Sequence, residues 1–505
     1  MKKFLWLVIL FPILLLAQDP IESHDNETQF GMEGMVGSTT FGTTTYSQIR
    51  LMPEITFWKF GFGLDIDLLI DKNGNVRKED WDEPKDMLHK VSYIRFAQQG
   101  EPFYARVGSF PSHTIAHGLL MQNYSNTLLY PTQRNIGAMV GFNLPLPLEP
   151  GVELFTSNVV KNQIIAARGL CKPLLFAEIP IFSNLKLGVT AVSDRNQYGK
   201  YEDKDNDKVP DILDMNSKVK NKPNDWDGDS ILNANDLDID GDGILDSPWV
   251  NQYVFAQYPA LNDSTLAVLL DNDISAPIFY GDNRKVEIYS IDYDIPLIQT
   301  VVFKLGHYAE YAKIKDYGSG LIFPGFYSKF LVFDVNLELR KFEDKFIPGY
   351  FDHLYEEQRA FVVNNEIQTK DKILETVKAS FGWYGGVQAN IFNIIILKIA
   401  YQDMYGEDLV TGKSLWSRVS IDPKIVPKIK DASIGYSQNN MQHFAINALQ
   451  SPSATVDGRV SYTLSESAFL IGKYSERYID ANGDNKIKGT EETVRSMTFG
   501  VEFQF

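Results

Sequence analysis

Between Val494 and Phe505 apolar and polar side chains alternate. Met497, Phe499, Val501, Phe503 and Phe505 share one side, and Ser496, Thr498, Gly500, Glu502 and Gln504 share the other. Successive side chains of a β-strand point to opposite faces, so this segment is a strand with one apolar and one polar face. The period recurs along the chain. Ile49, Leu51, Ile55 and Phe57 oppose Gln48, Arg50, Glu54 and Thr56, and Phe60, Phe62, Leu64, Ile66 and Leu68 oppose Gly61, Gly63, Asp65 and Asp67. Leu331, Phe333, Val335, Leu337 and Leu339 oppose Val332, Asp334, Asn336, Glu338 and Arg340. A chain patterned in this way is all-β.

A half-apolar sheet hides its apolar face inside a soluble sandwich or turns it outward to lipid around a wet lumen. Three features favour the second. The segments run to about ten residues, the length a tilted strand needs to cross a bilayer. Their polar faces carry charges of both signs. Their connections alternate short and long, as tight periplasmic turns and larger outer loops do. Strands are expected near 28–38, 45–57, 59–70, 90–97, 103–110, 135–144, 151–158, 163–174 and 184–195, then near 285–294, 299–314, 327–341 and 345–354. The last set lies near 376–391, 394–405, 413–422, 430–440, 453–463, 467–479 and 494–505. With the N-terminus periplasmic, the turns Gln98–Pro102, Pro145–Pro150 and Ile295–Ile298 fall on one side. The loops 71–89, 111–134, 196–284 and 480–493 fall on the other. The expected fold is a transmembrane antiparallel barrel of 16–20 strands.

The N-terminus agrees. Lys2 and Lys3 precede an apolar run from Phe4 to Ala17, the pattern of a secretory signal peptide spanning 1–17. That run is short for a membrane-spanning helix, and no later stretch is long enough for one. A net charge of −17 argues against nucleic-acid binding, and the lone Cys171 excludes an intramolecular disulfide framework. The domains expected are therefore barrel strands over 18–195, an inserted acidic segment over 196–284, and barrel strands over 285–505.

These residues carry a resemblance. The signal peptide, the alternating strands and the terminal Phe505 resemble a Gram-negative outer-membrane β-barrel of the porin type. The resemblance implies outer-membrane lipid as surroundings and recognition of the last strand by the barrel assembly machinery. It also implies passive passage of small polar solutes, and it is compatible with a homo-oligomer.

The insertion carries the most specific chemistry. Residues 200–246 hold 14 Asp and Glu against six Lys. Asp203, Asp205, Asp207, Asp211 and Asp214 stand at positions 1, 3, 5, 9 and 12 of one loop. Asp225, Asp227, Asp229, Asn233 and Asp236 repeat that spacing, with Gly228 at the turn. Asp238, Asp240, Asp242 and Asp246 supply positions 1, 3, 5 and 9 of a third loop. Calcium takes six to eight hard oxygens, and such spacing lets one loop wrap an ion while position 7 offers a backbone carbonyl. The repeats resemble thrombospondin type 3 calcium repeats, although the first lacks a Gly at its turn. A fourth site is expected from Asp480, Asn482, Asp484 and Glu491 between the last two strands. Asp71-Lys-Asn-Gly-Asn75 begins similarly but reads better as a turn. Calcium would stabilise a surface cap.

Catalysis finds no constellation. His113 and His117 read as polar loop residues, and no serine motif accompanies His307. The expected lumen carries Arg50, Glu54, Asp65, Asp67, Arg106, Lys304, Glu310, Asp334, Glu338, Arg340 and Lys398. Mixed charges there suit an aqueous pore. The 111–134 loop is apolar for a surface loop and is expected to fold inward and narrow the channel. The rival reading is a structural or adhesive surface protein that uses the barrel as an anchor and the repeats for partner contact.

Overall fold

The computed structural model describes residues 29–504 apart from 42–43, 82–83, 130–134, 178, 215–216, 234, 237, 240, 242–244, 247–269, 272–276, 281–283, 364–365, 393, 407–411, 422–426, 442–449, 452–453, 466, 480–486 and 488–491. The expected signal peptide lies outside the described residues. The chain divides into two compact units. The first holds Met1–Ser193, Glu287–Tyr355 and Leu374–Phe505, and the second holds Asp194–Val286 and Glu356–Ile373.

Among the described residues, the first unit is a closed antiparallel barrel of 20 strands and helix is scarce. Its first strand, Gln29–Phe41, pairs with the second, Thr44–Phe57, and also with the last, Thr493–Gln504. The closing register sets Glu33 against Gln504 and Phe41 against Ser496. Closure leaves no sheet edge with unsatisfied backbone groups, the condition for strands to lie in lipid. Twelve-residue strands such as Phe303–Ile314, tilted as barrels require, span roughly 30 Å, close to the hydrocarbon thickness.

The alternation points as the sequence indicates. On the strand Phe333–Phe342, Phe333, Val335, Leu337 and Leu339 are 42%, 36%, 52% and 40% exposed, whereas Glu338 and Arg340 are 3% and 5% exposed. The apolar side chains face outward and the charges inward, the reverse of a soluble barrel. A row of outward rings marks the short-turn end. Phe60, Phe96, Phe103 and Phe142 follow one another on neighbouring strands with centroids 4.9, 5.4 and 5.0 Å apart, and Trp58 lies 5.8 Å from Phe96. Exposed Tyr289, Tyr311 and Tyr405 mark the long-loop end. Aromatic belts at both ends of an apolar band are a membrane-barrel signature.

Inward tyrosines lie flat against the wall where the neighbouring strand has glycine. A Cβ on Gly141 would fall 2.0 Å from the Tyr104 ring, and one on Gly306 would fall 2.0 Å from the Tyr327 ring. The missing side chains let the rings cover the backbone instead of filling the lumen.

Two strand assignments need correction, and they offset each other. Residues 345–354 form no barrel strand. Phe333–Phe342 pairs directly with Ser380–Ile391, with Leu339 opposite Trp383. Ser319–Phe330 is a barrel strand, and the expected strand 327–341 straddles its end and the turn after it. Pro324 disguises this strand, because proline cannot donate to a ladder. The register with Phe333–Phe342 shifts between Ile322 and Gly325, where the proline is accommodated. The expected turn Ile295–Ile298 also moves, since Val286–Gln299 continues through it and the connection falls at 300–302.

Candidate functional site

The lumen is lined by ion pairs between strands. Arg50 donates from Nε and Nη2 to Asp65 at 2.6 and 2.8 Å, and Gln48 donates to both oxygens of Asp67. Asp65 interrupts the strand between Phe60–Leu64 and Ile66–Ile70, and its amide donates to Lys90 O. Arg340 pairs with Glu338 at 2.5 Å, lies 4.1 Å over the Tyr384 ring and donates to Gln402. Glu338 also accepts from Tyr308 at 2.7 Å. Farther round, Arg459 joins Asp431 and Glu502, and Arg418 donates to Asp457. The sequence identifies Arg50, Asp65, Asp67, Glu310, Glu338 and Arg340 as lumen residues, and they face inward. It gives no sign of Arg168 and Asp292, which form a bidentate pair at 2.7 and 2.8 Å. Their strands are only partly regular in pattern.

Two connections cross this lumen. The 109–136 connection carries a short hairpin, His113–Ile115 with Met121–Tyr124. The His117 and Leu119 amides both donate to Glu310, each at 3.2 Å, and the His117 ring stacks on Tyr308 at 4.1 Å. Past the hairpin, Leu128 O accepts from Arg477 on the strand Ala468–Tyr478. One connection thus touches two distant arcs of the wall. The second, starting at residue 343, packs against it: Gly349 N donates to Leu119 O at 2.8 Å and Phe351 N to Leu120 O at 3.1 Å. His353 lies 3.3 Å from Ser437 on Ile429–Met441. Leu119, Leu120, Met121, Tyr124, Tyr350 and Phe351 are fully buried where the two meet. The inward fold expected of 111–134 is present over its described residues, 111–129. The participation of 345–354 is missed, because its aromatic residues read as strand. His113 is buried, stacked on Phe155 at 4.4 Å, in a packing role.

In the second unit the acidic residues form two loops with the same internal bonds. In the first, Asp207 N donates to Asp205, Val209 N to Asp207 and Lys204 N to Asp211. In the second, Asp229 N donates to Asp227, Ile231 N to Asp229 and Trp226 N to Asn233. These bonds join positions 5 to 3, 7 to 5 and 2 to 9 in both. Positions 4 and 6 take positive φ in both, at Asn206 and Lys208 and at Gly228 and Ser230. Carboxylate oxygens of Asp203, Asp205 and Asp207 lie within 4.8 Å of one another, as do those of Asp225, Asp227 and Asp229. Asp225 and Asp236 are buried, at 3% and 4% exposure, and each keeps one oxygen with no hydrogen-bond partner. Burial and the neighbouring carboxylates raise the pKa of Asp205 and Asp227 above the usual value.

Asp214, at position 12 of the first spacing, is half-buried and is among the charges that raise the Asp205 pKa, and the Asp238 side chain accepts from Gly241 N at 3.1 Å. Asp246 lies in a two-residue strand, Leu245–Asp246, paired with Leu270–Asp271. Asp240, Asp242, Asp480, Asn482, Asp484 and Glu491 lie outside the described residues. Asp71 accepts from the amides of Asn73 and Asn75, which makes that segment a turn.

No family model matches the chain, and no curated protein does. Solved structures similar to it include Pseudomonas aeruginosa OccK11 (OpdR), at 8% identity, 95% coverage of both chains and a TM-score of 0.31. Pseudomonas aeruginosa OprD shares 7% identity over 95% of both chains at 0.33. Acinetobacter baumannii OccAB3 shares 9% over 95% of this chain and 99% of its own at 0.30. At such values the functional reading rests on this chain's own geometry. That geometry is a closed β-barrel, apolar outside and charged within.

Proposed function

We propose that this protein is a porin-like outer-membrane channel for small polar solutes, narrowed by two inward connections and carrying a calcium-stabilised outer unit. One observation carries the reading: a closed ring of 20 strands lines its interior with charge. Small barrels of about eight strands fill with their own side chains, and those of 16–18 leave an aqueous channel. A wider ring keeps water inside unless loops close it. The reading includes export by a cleaved signal peptide and assembly through the last strand, and it is non-enzymatic.

Calcium fits the donor set. A buried carboxylate oxygen without a partner is costly unless a cation or hydrogen bond meets it. Asp225 and Asp236 present such oxygens beside a converging carboxylate triplet. Asp203, Asp205, Asp207, Asp211 and Asp214 would hold one ion, and Asp225, Asp227, Asp229, Asn233 and Asp236 a second. The ion would supply charge neutralisation and cross-linking, with affinity of about 10⁻⁴–10⁻³ M as in extracellular modules.

The apolar contact of the two connections favours a second reading, a closed barrel serving as an anchor. Single-channel recording in planar bilayers separates the two. The channel reading expects discrete conductance steps from the purified, heat-modifiable barrel. Correctly folded protein that gives no steps supports the anchor.

A further inference from the structure

We infer that calcium loading of the acidic unit sets the conductance of the pore through the connection between Phe333–Phe342 and Ser380–Ile391. This inference rests on the channel and calcium readings above.

That connection is divided along its length. Its first part, to Tyr355, belongs to the barrel unit, and Glu356–Ile373 belongs to the acidic unit. Within the barrel, the first part is one half of the lumen obstruction. Gln122 N donates to Phe351 O at 3.1 Å, which completes the backbone pairing of 119–122 with 349–351. Within the acidic unit, Glu356–Ile373 is bonded to the chain on both sides of the calcium loops. Arg359, fully buried, pairs with Glu356 at 3.1 Å, lies 3.4 Å from Asp194 and donates to Asn196 O at 2.7 Å. Lys200 donates to the carbonyls of Glu357 and Ala360 at 2.5 and 2.6 Å. Arg284 pairs with Asp371 at 2.6 Å.

One residue reaches a calcium loop directly. Tyr280 N donates to Lys208 O at 2.7 Å, at position 6 of the first loop. Its hydroxyl oxygen accepts from Ile367 N at 2.6 Å. Asn221 N donates to Asp207 at 2.6 Å, which ties the first loop to the chain entering the second.

Without calcium, the clustered carboxylates repel and the loops loosen. The bonds through Tyr280 and the 194–200 segment then hold Glu356–Ile373 less firmly. The peptide continues directly from Glu356 back to Tyr355, so the obstruction loses an anchor. A ligand shifts such an equilibrium only by its difference in affinity between the two states. Here calcium binds the ordered loops and favours the narrowed pore.

The test records conductance of the full chain in planar bilayers, in calcium and then in chelator, with terbium luminescence sensitised through Trp226 as an independent readout of loading. The expected result is a severalfold rise in conductance on chelation, reversed by calcium. Asp203→Asn with Asp205→Asn, which empties the loop that Tyr280 reaches, should keep the Trp226-sensitised terbium signal of the second loop and hold the chelated conductance in calcium. Tyr280→Phe, which keeps the ring, and Arg359→Gln, the harsher cut, should keep the terbium signal and lose the conductance response. Equal conductance in both conditions from a protein that binds terbium overturns the coupling and leaves the channel standing. A folded protein that never conducts overturns both. Absence of terbium binding overturns the calcium reading and the coupling together.

Discussion

Arg168 and Asp292 meet directly over Gly188. The guanidinium and carboxylate form two parallel hydrogen bonds, and a Cβ on Gly188 would stand 2.5 Å from Asp292 Oδ2 and 2.6 Å from Arg168 Nη2. Bidentate pairing needs both planes in register, so a methyl group there should break it. Gly188→Ala is expected to cost about 1–3 kcal/mol. Arg168→Met, which strands the buried carboxylate, should cost about 3–5 kcal/mol. The readout is the temperature at which the compact gel band converts to the unfolded one. Both variants should convert earlier, Arg168→Met by more.

Glu310 is the point where the first inward connection is fastened to the wall. Its side chain accepts from two backbone amides, and a typical intramolecular hydrogen bond contributes about 0.5–1.5 kcal/mol. Glu310→Ala should release the 116–120 turn while leaving the strand in place. The expected outcome is larger and noisier single-channel conductance with an unchanged compact gel band. Conductance equal to that of the parent chain would show that the turn is held by its apolar packing alone.

The barrel was legible in the sequence wherever one face is wholly apolar, because a one-residue slip would move that whole face to water. Ser319–Phe330 escaped because its proline breaks the pattern. Residues 345–354 intruded because a buried aromatic plug reads like strand. Strand count survived these two errors, since they cancel. The lumen was half legible. Arg50 and Arg340 stand out by parity, but the partner of each charge depends on register between strands, which one sequence does not contain. Arg168 and Asp292, 124 residues apart, show this most plainly. The acidic loops were legible because ligands spaced along one short segment need no long-range register.

Calcium should protect the acidic unit from proteolysis. Lys204, Lys208 and Lys220 lie in or beside the two loops and are exposed. Trypsin at neutral pH should cut there rapidly in chelator and slowly in millimolar calcium, while the barrel strands resist in both. Asp203→Asn with Asp205→Asn should abolish protection of the first-loop lysines. Identical cutting with and without calcium would contradict the ion's role in ordering the loops.

Position 337 and its neighbour offer a paired test of the faces. Leu337→Lys places a charge on the lipid side and should cost about 2–4 kcal/mol if it lies near the midplane. Asn336→Lys adds the same charge to the wet side and should stay within about 0.5 kcal/mol of the parent chain. Urea unfolding in lipid vesicles reads both. Equal effects would mean that the two faces see the same medium.

The most direct measurement places a fluorescent label on single cysteines at 334 to 339, in a Cys171→Ser background, in vesicles containing lipids spin-labelled on their acyl chains. Quenching should be strong at 335, 337 and 339 and weak at 334, 336 and 338. Quenching that fails to alternate, or that alternates in the opposite phase, would contradict a barrel whose apolar faces meet lipid and whose charges enclose water.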